Sequence, residues 1–149
     1  MLDKLRTLFT TAPQTSESAI APELAAASLM LEVSWSDHAV DDVELSAIRT
    51  LLIELFQLQD DKVDALIEDA RSRLDSSVGL HPYTSYLNDH LDEAERFAVV
   101  CALWQLAMAD QRVDRFEEHT IRKAADLLYL SHSRFIEAKL QAKNLAVQS

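Results

Sequence analysis

The feature that most limits how this chain can fold is a duplication. Asp37-His-Ala-Val-Asp-Asp-Val-Glu44 and Asp110-Gln-Arg-Val-Asp-Arg-Phe-Glu117 both read Asp-x-x-Val-Asp-x-x-Glu, with an offset of 73 residues from 37 to 110. The likeness runs outward on both sides. Leu24, Ala27 and Leu31 before the first octet fall against Phe97, Val100 and Trp104 before the second, and Ile48, Leu52 and Leu55 after it against Ile121, Ala125 and Leu128. Apolar residues recurring every three or four positions mark one face of a helix. Each copy is therefore an apolar helix, an acidic turn and a second apolar helix, and a duplicated helix–turn–helix is the organising unit.

At 149 residues the chain has the length of one domain with a sizeable core, and 48% apolar residues argue against global disorder. It holds one Gly and three Pro. Turns that need positive φ should be scarce, which suits helices joined by short connections better than hairpins. No useful stretch alternates with period two. The expected fold is all-α, a single-domain bundle of about seven to eight helices.

The net charge is −11. Clustered basic residues are absent and phosphate would be repelled, so no nucleic-acid partner is expected. An acidic chain is suited to cations or basic partners. The lone Cys101 excludes an internal disulfide framework and fits a reducing cytoplasm. No run approaches the roughly 20 apolar residues of a membrane span, and residues 1–9 lack the apolar core of a secretory signal. The expected location is cytoplasmic, without direct membrane insertion.

In chain order, residues 1–21 read as a short amphipathic helix over 2–11 followed by a linker, and 22–145 as the helical domain. Pro22 and Glu23 suit the first turn of a helix running to about Ser36. Val43 to Leu55 forms the next, and Asp60 or Asp61 opens another that ends near Arg71 and Arg73. Gly79 marks the clearest break. A short helix then follows from His81, with Pro82 in its first turn and Tyr83, Tyr86 and Leu87 on its buried side. Asp92 and Glu95 have capping-box spacing before a helix over 93–109. Helix 115–129 follows the second octet, and Ser131 caps the last helix.

Asp41 with Glu44, and Asp114 with Glu117, also have capping-box spacing, which accounts for four of the six acids structurally. Asp37 and Asp110 end the preceding helices, where an acid opposes the macrodipole and has no capping role. The functional alternative is a metal site built from Asp37, Asp41, Glu44, Asp110, Asp114 and Glu117. Hard divalent cations such as calcium or magnesium take oxygen ligands, although three carboxylates per turn need backbone carbonyls or waters beside them. The twelve-residue EF-hand loop is absent. So are the Glu-x-x-His of di-iron bundles, paired histidines at i, i+4, and any glycine-rich phosphate loop. His38, His81, His90, His119 and His132 read as surface or capping residues, Cys101 and Trp104 as core, and Trp35 as core or an exposed anchor.

Leu103-Trp-Gln-Leu-Ala-Met-Ala109 running into Asp110-Gln-Arg-Val-Asp-Arg-Phe-Glu117 resembles the TerB-like tellurite-resistance family, whose hallmark is Ala-Asp-Gly-x-[Val/Ile]-Asp-x-x-Glu, often in two copies. The likeness covers residues 22–140, and His81-Pro-Tyr-Thr-Ser-Tyr-Leu-Asn88 resembles a bacterial branch of that family. The family's glycine is replaced by His38 and Gln111, and its first alanine by Ser36. The resemblance implies a pseudo-symmetric helical domain in the cytoplasm, an acidic metal-binding surface, and a stress-response role beside membrane-associated protein partners. It implies no enzymatic reaction and no catalytic residue. The leading expectation is a non-enzymatic interaction or scaffold module whose acidic turns meet a divalent cation or a basic partner. The alternative is a divalent-cation sensor that changes conformation on loading.

Overall fold

Every described helix packs against one of two helices that have no polar side. The computed structural model describes residues 21–34, 42–73, 79–109 and 115–148. The expected N-terminal helix over 2–11 and nearly all of its linker lie outside these. Helix α1 (Pro22–Ser34) starts on its proline, and Ala25, Ala26, Ala27, Leu29, Met30 and Leu31 are each wholly shielded from solvent. Helix α5 (Glu93–Ala107) is the same kind of element, buried from Phe97 to Ala107 on nearly all sides. A helix apolar all round belongs in the interior.

Around this pair lie α2 (Asp42–Phe56), α3 (Asp60–Ser72), α4 (His81–His90), α6 (Arg115–Leu127) and α7 (His132–Gln148). The described residues are thus an all-α bundle of seven helices. Helix α1 packs on α2, α3, α4, α5 and α6, while α5 packs on α1, α2, α6 and α7. Exchanging α1–α3 with α5–α7 maps these pairings onto one another, because α1 touches α6 as α5 touches α2. Only α4 has no counterpart, and it lies against α1 and α6. The paired apolar positions of the duplication are the core. Of the twelve, all but Leu55 are buried, and Leu55 packs against the core half-exposed.

The repeat reaches further than the sequence suggests. Val63 and Ala70 of α3 correspond to Phe135 and Ala142 of α7, all four buried, at an offset of 72 rather than 73. The second copy is one residue shorter from the start of its second helix to the start of its third, Arg115 to His132 against Asp42 to Asp60.

Local signals account for several of the helix starts. The Glu95 amide donates to Asp92 Oδ1 at 2.8 Å and the Asp92 amide donates to Glu95 Oε1 at 2.9 Å, a complete capping box. Ser131 Oγ accepts from the Arg134 amide at 3.2 Å, and Pro82 sits in the first turn of α4. Two ends are shorter than the periodicity predicts: α5 stops at Ala107 and α6 at Leu127, each passing into a turn. The carbonyls left at the end of α6 are taken up by α4 and α5. Asn88 Nδ2 donates to Leu127 O and Arg96 Nη1 to Leu128 O, both at 2.8 Å.

Positive φ is scarce among the described residues, as expected, but it is not confined to Gly79. Gln57 (φ 56°), directly after α2, and Tyr129 (φ 61°), two residues past the end of α6, are equivalent at the offset of 72 and both adopt the left-handed region. After α6 the Leu130 amide reaches Ala125 O and the Tyr129 amide reaches Asp126 O, each at 3.0 Å, which is the Schellman arrangement. After α2 the Gln57 amide donates to Ile53 O at 2.7 Å. These turns are specified by the hydrogen bonds that close a helix, and glycine is only the least strained residue for them.

Helix α7 is held to α5 by contacts that no local pattern announces. The Arg134 guanidinium bonds Glu93 at 2.9 and 3.2 Å and Glu137 at 2.9 Å, and lies 3.7 Å over the Phe97 ring. Trp104 packs against Phe135 with ring centroids 5.4 Å apart, and Lys139 Nζ lies 5.1 Å from the Trp104 ring.

Two outcomes follow for stability. Tyr129→Gly should raise it by roughly 0.5–1 kcal/mol, or a few degrees of Tm, because the left-handed turn then carries no Cβ; Tyr129→Ala should gain nothing, since it keeps that atom. Trp104→Ala, emptying a fully buried site, should cost about 3–5 kcal/mol in urea unfolding.

Candidate functional site

The acidic segments are the links between the central helices and their successors. The first runs from Ser34, the last residue of α1, to Asp42, the first of α2; the second runs from Ala107 to Arg115, the start of α6. Asp37, Asp41, Asp110 and Asp114 lie outside the described residues, as do Trp35 and His38. Of the six candidate ligands, Glu44 and Glu117 lie among the described residues.

Both occupy the first turn of their helix, where the macrodipole favours a carboxylate. Neither is without a partner. Their environments differ: Glu117 is 5% exposed, whereas Glu44 is half-buried. The residues just before them, Val43 and Phe116, are both turned outward, at 54% and 51% exposure. The duplication thus places a solvent-facing apolar side chain beside each acidic segment, but seals the carboxylate of the second copy into the fold.

Charge has diverged as well. The helices α1–α3 carry ten acidic residues against three basic, whereas α5–α7 carry six against seven. Asp42 opens α2 where Arg115 opens α6. The acidity of the chain is concentrated in the first repeat, next to the more open of the two glutamates. Within that repeat Arg49 binds Asp64 at 2.8 Å and Asp60 at 3.3 Å, tying α2 to α3 through partly exposed pairs of small energetic weight.

Among the described residues, no group of three or more His, Cys, Asp or Glu side chains is gathered to hold a metal ion. His81, His90, His119 and His132 are all exposed.

One convergence of titratable groups has no signature in the sequence. Burial pushes the Glu23 carboxyl above its usual range while Lys62 of α3 pulls it back, and burial together with the Glu23 charge raises the Tyr86 phenol. The Tyr86 ring stacks on His90 at 3.9 Å. Three helices bring these side chains to the start of α1, from positions too far apart in the chain to suggest the meeting.

Cys101 is buried in α5, and that burial pushes its thiol up to about 11. Thiolate is the reactive form. Alkylation at pH 8 should therefore be slower in the native protein than in urea by on the order of 100-fold or more, measurable by mass-shift labelling.

A family model described as tellurite resistance protein TerB matches residues 23–140. Comparison with curated proteins and with solved structures gave no match. No described helix is long and apolar enough to cross a membrane. The match begins one residue into α1, ends within α7, and so takes in both copies of the octet and the helices on either side of them. The chain belongs to the TerB tellurite-resistance family.

Proposed function

We propose that this chain is a non-enzymatic, cytoplasmic interaction module of the TerB family in which the acidic segment of the first repeat presents carboxylates to a divalent cation, calcium or magnesium, or to a basic protein partner. The observation that carries this reading is the asymmetry between equivalent glutamates. Glu44 keeps access to solvent in the acidic half of the chain, whereas Glu117 is buried in a half whose charges nearly cancel. Hard cations need several oxygen donors that can be reached from solvent. Asp37, Asp41, Asp42 and Glu44 supply these within eight residues, and Arg112 and Arg115 weaken the corresponding field around Asp110, Asp114 and Glu117. In this reading the second copy is retained as a helix start and the first for binding.

A second reading is a sensor. Each acidic segment joins a central helix to its successor, so a cation that drew the first segment inward would act directly on α1, the most widely connected helix of the bundle.

Amide NMR of the full chain titrated with Ca²⁺, Mg²⁺ and Zn²⁺ tests both. Saturable shifts confined to residues 37–44 and lost in Glu44→Gln are expected for the binding module. The same shifts accompanied by changes through α1 and α5 would favour the sensor, whereas weak, diffuse shifts equal for all three ions would overturn cation binding.

The asymmetry also predicts opposite rankings in two assays. Glu117→Ala should destabilise by about 1–3 kcal/mol, as removal of a buried polar group does, and leave cation response at 37–44 intact. Glu44→Ala should cost less than about 1 kcal/mol in thermal melts and abolish that response. Asp41 and Asp114 have capping-box spacing, and a cap is worth about 1 kcal/mol, so the stability of Asp41→Ala and Asp114→Ala has to be measured before any loss of binding is interpreted.

A further inference from the structure

No further inference is drawn: the strongest candidate, the surface face of α6 and α7 that carries outward apolar side chains (Phe116, Leu140 and Leu145), rests on exposure alone, and nothing among the described residues shows what covers it.

Discussion

A helix that is apolar on every side has to be surrounded, and this chain contains two of them. Covering α1 and α5 takes all five remaining helices together with the contact between the pair itself. The small side chains Ala25, Ala26 and Ala27 keep α1 narrow along one stretch, while Leu29, Met30 and Leu31 fill the space beyond. The apolar gain is large, because each fully buried aliphatic side chain contributes about 1.5–3 kcal/mol. It also carries a penalty. Ser28 Oγ, Ser34 Oγ, Glu95 Oε2 and Trp104 Nε1 are buried on these two helices without a hydrogen-bond partner among the described residues. A buried polar atom left without a partner costs about 1–3 kcal/mol.

Duplication solved the covering problem once and used the solution twice. Packing relations were kept between the copies, whereas charge and local exposure were free to drift. Equivalent core positions stay apolar although Leu31 is matched by Trp104 and Leu52 by Ala125. The larger tryptophan is accommodated by α7, whose Phe135 and Lys139 lie against it. Outside the core nothing enforced equality, so Asp42 stands opposite Arg115 and the half-open Glu44 opposite the sealed Glu117.

Much of the frame was legible because it is written in local periodicity and caps. Pro22, the Asp92–Glu95 box, Pro82 and Ser131 each act within four residues of themselves, and the sequence shows them directly. The left-handed turns at Gln57 and Tyr129 were not legible, because no glycine advertises them and their cause is the closing of the preceding helix. Arg134 with Glu93 and Arg96 with Leu128 span 41 and 32 residues, distances at which no spacing rule operates. For the candidate site, the residue types were legible, but the unequal burial of Glu44 and Glu117 was not. Burial at those positions depends on which neighbouring helix lies over them, and two copies of one motif give no hint that they differ.

The crossing of α1 onto α6 and of α5 onto α2 has a consequence for how the molecule comes apart. Each repeat supplies a wall of the other's interior, so neither three-helix half encloses a complete core. Helix α4 reinforces this by bridging α1 of one half and α6 of the other. Opening either half strips cover from the central helix of its twin, and the apolar area so uncovered opposes any partly open state. The smallest unit of cooperative unfolding is the interlocked pair. A chain that reads as two modules in sequence therefore behaves as one in thermodynamics.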